Sequence, residues 1–461
     1  MPCMSLSKDQ IEQFQKAISA YQYKELIYAQ DFILVPLYLL AIFFFLSYLK
    51  RKQPVEIRRY FLPGYYIRMA GIALFLIHHI LIYTGGVDSF TYYWVTNSLW
   101  EMFSISPSEV GKILFTATDL SDYTYPISEF LFMPNEAFSV RVFSVISFFC
   151  FNSYLVISLI AGLFAFGGCW KIFKIFYSLY PKHHKILAVA TLFIPSVFFW
   201  SSVISKEILC IGAMGFLFES LYKFFIEKKN RVLNALGILL FSYILIRVKL
   251  YILLAFIPSL MILLLLRAVK KLHSPVLRKL AFPVILLVFG ILFYFVLDSL
   301  GEALSQFALD KIMENIVTTY KYLTQEGFAE SRYDLGEFSP TLSGVMNMAP
   351  AGINVTLFRP YVWEANKPIT LLASVESTLT LLITLYVVLK VGILRTLSKI
   401  GSDPILLFCL IFAGVFSLAV GITSGNFGTL MRYKIPMMPF YFTALAILYK
   451  TRKEATPTKP L

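Results

Sequence analysis

The feature that most constrains this chain is a recurrence of apolar runs of roughly 16 to 24 residues, the length that spans a hydrocarbon core. The runs fall at roughly 32–49, 62–84, 142–166, 185–203, 207–226, 232–247, 250–267, 280–298, 370–390, 404–422 and 435–450, which predicts about eleven transmembrane helices. The fold class that follows is all-α: a polytopic integral membrane protein, with 1–461 read as a single transmembrane domain. Composition agrees, with 58% hydrophobic residues, 15% charged residues and 44 Phe, and a mean hydropathy of +0.71.

A formal charge of +14 would point to nucleic acid in a water-soluble chain. Here it is a topology signal, because cytoplasmic loops of membrane proteins collect Lys and Arg. Of the 41 Lys and Arg, 25 lie in the short segments 50–59, 171–185, 223–231, 267–279, 390–399 and 450–459. All six fall on one side if the first helix runs inward. The N-terminus is therefore expected outside and the C-terminus in the cytoplasm, with the bilayer as the chain's surroundings and no nucleic acid partner. Of the 27 Asp and Glu, only Glu56, Glu227, Asp403 and Glu454 fall on the cytoplasmic side. Met1 to Gln30 has no continuous apolar core and reads as an amphipathic outer helix, with Ile11, Phe14, Ile18 and Tyr21 at helical spacing, rather than as a cleavable leader. The five cysteines show no CxxC or other metal spacing, so neither a disulfide framework nor a zinc site is expected.

Two long segments interrupt the spans, and the topology puts both outside. The first, 85–141, carries Ser106-Pro107-Ser108-Glu109, a helix start with Pro at the first helical position, and is expected to form short interfacial helices. The second, 300–369, opens with Leu304, Ala308, Ile312, Ile316, Tyr320 and Leu323 on one helical face, then breaks at Gly327.

Polar residues gather on that same outer side. They lie in "GGVDSFTYYW" from Gly85, "FWSSVISKE" from Phe199, "RVKLY" from Arg247, "TLFRPYVWEANKP" from Thr356 and "NFGTLMRYK" from Asn426. Singly, each charge marks a water boundary or snorkels, and the outer Trp94, Trp100, Trp200 and Trp363 fit an aromatic belt. Together they form a candidate site. Asp88, Glu207 and Glu364 are candidate catalytic carboxylates, while Lys206, Arg247, Lys249, Arg359, Trp363, Arg432 and Lys434 are candidate substrate-binding residues. Arg offers a bidentate fork to phosphate, Lys a point charge, and aromatics a face for sugar rings. His78 and His79 have no second ligand at helical spacing, and no metal-ligating set is expected. Glu376, inside the ninth span, needs a partner because an intramembrane carboxylate is expensive.

The arrangement resembles the GT-C class of membrane glycosyltransferases. The resemblance rests on the architecture over most of the chain and on Asp88, which follows an outward span and opens a long loop of interfacial helices. "PSVFFWSSVISKE", "TLFRPYVWEA" and "NFGTLMRYK" are similar to segments of bacterial envelope-polysaccharide membrane proteins, repeat-unit polymerases among them. Asp88 follows the second span, which makes the first span an addition, and no tandem Asp-Glu pair stands there. The resemblance implies a GT-C-like fold in the bacterial cytoplasmic membrane and transfer of a sugar from a polyprenyl-phosphate-linked donor at the outer face. It calls for no cofactor and leaves a divalent metal open. The rival class is a flippase or transporter of lipid-linked oligosaccharide, which should carry its charges near mid-membrane in broken helices.

Overall fold

The computed structural model describes residues 26–82, 87–115, 134–270, 331–336, 339, 341–365 and 367–454. Among them the secondary structure is helical, with an isolated bridge between Arg332 and Asn426 and no strand. Among the described residues seven helices are long and apolar enough to cross a membrane: α1 (Asp31–Arg51), α2 (Val55–Ile82), α6 (Tyr154–Leu179), α9 (Lys206–Glu227), the Arg231–Val269 stretch of α10 (Arg231–Lys270), α13 (Pro368–Val391) and α15 (Pro404–Ser424). The remaining helices are α3 (Asp88–Ile105), α4 (Pro107–Phe115), α5 (Pro134–Phe149), α7 (His184–Leu192), α8 (Pro195–Trp200), α11 (Leu342–Asn347), α12 (Ala349–Phe358), α14 (Ile393–Ser402), α16 (Phe427–Tyr433) and α17 (Met438–Glu454). The chain is a multi-pass membrane protein. On α1, Phe32, Ile33, Leu37, Leu40, Phe43, Phe44 and Phe45 are all exposed, a surface that lipid tolerates and water does not.

Local chemistry sets where the helices begin and bend. Pro107, Pro134, Pro195, Pro368 and Pro404 each open a helix, where the missing N–H costs nothing and φ is already helical. Asp403 caps α15, its Oδ1 accepting from Ile405 N at 3.1 Å and Leu406 N at 3.4 Å. The expected spans 232–247 and 250–267 fall on either side of Lys249, whose φ of −153° and ψ of 85° interrupt α10. The expected span 142–166 is divided between α5 and α6, because Phe151 and Asn152 turn the chain at φ of 49° and 53°. That at 185–203 is divided between α7 and α8, since Pro195 cannot donate to the preceding turn. The expected span 280–298, most of the amphipathic helix expected over 1–30, and residues 116–133 and 300–330 of the two long outer segments, with the helical face expected from Leu304 to Leu323, lie outside the described residues.

The chain divides into two compact units: a first of Met1–Lys171, Phe198–Phe218 and Leu239–Lys249, and a second of Ile172–Val197, Glu219–Ile238 and Leu250–Leu461. In the first unit α3 packs on α5, and α6 meets α9 through glycine. A Cβ on Gly168 would stand 2.6 Å from the Gly212 carbonyl, so only glycine lets these backbones approach. Phe61 stands edge-on to Phe166 and Trp170, and the Tyr65 hydroxyl donates to Leu159 O at 3.0 Å. In the second unit α12 packs on α15, where a Cβ on Gly421 would strike the Gly352 carbonyl. Thr356 closes that contact by donating to both Gly352 O (2.9 Å) and Ser417 O (2.7 Å). Phe256, Phe408, Phe412 and Phe440 fill its core in edge-to-face pairs.

Candidate functional site

The first unit gathers Asp88, Lys206, Glu207, Arg247 and Lys249. Lys206 and Glu207 open α9, Asp88 is the first residue of α3, and Arg247 and Lys249 lie at the α10 break. Glu207 accepts from Lys249 Nζ at 2.9 Å, and the two side chains are only 6% and 7% exposed. Such an enclosed pair stands only because each charge has its partner. Lys206 donates to Glu136 Oε1, and the Tyr92 hydroxyl donates to Glu136 Oε2. Tyr92 is the hub of this group. Its hydroxyl pKa is driven well above the ordinary value first by burial, then by the charge and hydrogen bond of Glu136, and further by Asp88 and Glu207. One carboxylate thus accepts from this phenol, and the charges of two more act on it. Two of the three are neutralised by lysines, and the third, Asp88, is exposed. Asp88 does not cap α3: the cap position belongs to Val87, which offers no side-chain acceptor.

Three residues of this unit escaped the sequence reading. Glu136 stands in the first turn of α5, and its signal was the helix-start pattern Pro134-Asn135-Glu136. Tyr92 carried no signal beyond the aromatic run in which it lies. Arg68 carried a strong one, as an arginine inside a span. It is 1% exposed and donates to Ser201 O (3.0 Å), Ser201 Oγ (2.7 Å) and Cys169 Sγ (3.1 Å), which pins the turn that leads into Lys206 and Glu207.

The second unit holds Arg359, Trp363, Glu364, Arg432 and Lys434. Arg359 leaves the end of α12 and turns its fork on Glu364, with Nε 3.0 Å and 3.1 Å from the two carboxylate oxygens and Nη2 donating to Oε1. Tyr361 N adds a bond of 2.8 Å to Glu364 Oε2. Burial acts to raise the Glu364 pKa, but the Arg359 hydrogen bonds, the Tyr361 N–H and the Arg359 charge outweigh it and hold the carboxyl below its usual range. The Arg359 guanidinium lies 5.5 Å from the Phe427 ring centre. Trp363, 80% exposed, stacks on Tyr361 with ring centres 4.8 Å apart.

Beneath this brace Lys434 is 2% exposed and donates to Ser377 Oγ at 3.2 Å, while Ser377 donates to Arg359 O at 3.0 Å. Burial lowers the Lys434 pKa, and the nearby Glu376 charge offsets only part of that. Glu376 finds its partner in the backbone, accepting from Ser196 N at 2.6 Å. Arg432 is half-buried in the last turn of α16.

Among the described residues no group of three or more His, Cys, Asp and Glu is arranged to hold a metal ion. His79 Nδ1 lies 2.9 Å from Phe75 O, with its ring against Phe75 and Trp200. No family model matches the chain, and neither the curated proteins nor the solved structures contain a match to it.

Proposed function

We propose that the chain is a membrane glycosyltransferase or glycan polymerase that takes a sugar from a polyprenyl-phosphate-linked donor at the outer face of the cytoplasmic membrane, with its N-terminus outside. The observation that supports this reading is the carboxylate group around Tyr92, in which Glu136 and Glu207 are tied to lysines and Asp88 stands exposed at a helix start. Asp88 takes the proton of the acceptor hydroxyl as its oxygen bonds to the anomeric carbon. The bond from that carbon to the phosphate oxygen breaks, and the electron pair leaves on phosphate. A phosphate is a weak base and departs without a second carboxylic acid, so one base and a cationic environment are enough. Lys206 and Lys249 pair with Glu136 and Glu207, which holds those side chains in place near Asp88.

The transport reading draws on Arg68, a charge buried inside a span. Its donors are already engaged by Ser201 and Cys169, an arrangement suited to bracing rather than to carrying an anion.

The test is transfer by the purified chain, reconstituted in liposomes with a labelled polyprenyl-phosphate sugar and a glycan acceptor. Labelled product that disappears with Asp88→Asn supports the reading. Movement of the labelled lipid between leaflets without any new glycosidic bond replaces it with transport. Orientation is tested by cysteines placed at Ser339 and Lys182 in a chain whose Cys3 is replaced by Ser, since Cys150, Cys169, Cys210 and Cys409 are buried and give little background. Labelling of position 182 in intact cells would reverse the topology and remove the proposed site from the outer face.

A further inference from the structure

Three of the cations named for phosphate binding are already engaged by carboxylates: Lys206 by Glu136, Lys249 by Glu207 and Arg359 by Glu364. Arg247 is different. It makes no hydrogen bond or ion pair with the described residues, and its Nε is enclosed. An enclosed guanidinium N–H without an acceptor is costly, and Arg has five such donors to satisfy.

A second guanidinium, that of Arg141, lies within reach of its charge. The Phe138 ring meets the Tyr243 ring edge-on at 5.8 Å, joining α5 to α10 within the first unit. Arg141 follows Phe138 by three residues and Arg247 follows Tyr243 by four, so each arginine shares a helix face with the ring that makes the contact. The Arg141 pKa is held below its ordinary value by burial and then by the positive charge of Arg247, which sets the two charges against each other. Two guanidiniums on the helix faces joined by this ring contact, the Arg247 one without an internal bond, are suited to an anion with several oxygens. Phosphate matches their planar forks.

We propose that Arg247, together with Arg141, binds the phosphate or diphosphate of the ligand, and that this pair rather than Arg359 is the anion subsite of the protein. The identity of the ligand as a lipid-linked phosphate rests on the transferase reading; the anion site does not. Arg247 gives up no internal bond when truncated, so its loss removes ligand binding without weakening the empty protein.

The experiment is thermal unfolding of the full chain in phosphatidylcholine nanodiscs titrated with geranylgeranyl phosphate, geranylgeraniol or inorganic pyrophosphate. Geranylgeranyl phosphate is expected to raise the midpoint saturably, and geranylgeraniol is not. Arg247→Gln should weaken the apparent affinity at least tenfold while leaving the ligand-free midpoint unchanged or higher, because a like-charge contact is relieved. Arg141→Gln should weaken it in the same direction, and Arg247→Lys should restore part of it.

A lowered ligand-free midpoint in Arg247→Gln would make Arg247 a structural residue and overturn the proposal. So would unchanged binding in both glutamine variants. If pyrophosphate binds through Arg247 as tightly as geranylgeranyl phosphate, the anion site stands and the lipid-linked donor falls. If geranylgeranyl phosphate binds and neither arginine matters, the donor reading stands and this subsite falls.

Discussion

The two charged clusters, one in each unit, are built on opposite plans. In the second unit, Arg359 and Glu364 are five residues apart, and the pair closes within one turn of chain with both side chains about one-fifth exposed (20% and 19%). In the first, Glu207 meets Lys249 across 42 residues and Glu136 meets Lys206 across 70. A local pair forms wherever its segment is ordered and contributes little more than its own hydrogen bonds. A long-range enclosed pair exists only when several helices have docked, and it in turn holds them in register. The local cluster is also saturated, since its carboxylate accepts from the Arg359 fork and from Tyr361 N. The long-range cluster keeps an exposed Asp88 and an unengaged Arg247. Among the described residues it is in the first unit that a guanidinium, that of Arg247, makes no internal bond.

The largest effect should come from breaking the enclosed pair. Glu207→Ala leaves the Lys249 ammonium without its partner at 7% exposure, and about 3–5 kcal/mol of stability should be lost. Unfolding in detergent by a graded denaturant measures it, and adding Lys249→Met should recover most of the loss. If Glu207→Ala costs no more than Glu364→Ala, the contrast between the clusters disappears.

Asp88→Asn comes next. Asp88 is exposed and Asn keeps its shape, so stability should change little while transfer falls by about 100-fold or more, the scale of a lost general base. Substantial turnover by purified Asp88→Asn would move the base assignment to Glu136 or Glu207.

Glu364→Gln should cost only about 1 kcal/mol, since the pair is partly solvated. Its pH dependence has a definite sign. The folded pKa of Glu364 is depressed, so the contribution is fully present above the unfolded pKa and is lost as pH falls through the folded one. The stability difference between wild type and Glu364→Gln should therefore be flat from pH 8 to about pH 5 and shrink in stronger acid. A difference that grows on acidification contradicts the assignment. The smallest effect belongs to Trp363→Ala, which at 80% exposure should change stability by less than about 0.5 kcal/mol. A larger loss would mean that the Tyr361–Trp363 stack is part of the brace.

Much of the molecule was legible in one dimension. Apolar run length announced α1, α2, α9, α13 and α15, because a bilayer demands that backbone polar groups be satisfied within a segment of fixed length. The break at Lys249 was legible too, from Arg247 and Lys249 standing between two apolar runs. The division of 142–166 was not. Phe151 and Asn152 turn the chain there, and the flanking residues are apolar on both sides, so hydropathy carries no mark of it.

For the site, sequence named most charged residues of both clusters but missed Glu136, Arg68 and Arg141. The five-residue proximity of Arg359 and Glu364 was visible, whereas nothing local in the sequence links Glu136 to Lys206 or Arg141 to Arg247. Which charges are spent on one another, and which are left for a ligand, depends on which helices dock. That is settled by glycine-mediated approach and ring packing between segments far apart in sequence, so only the tertiary structure could tell a saturated Arg359 from an unengaged Arg247.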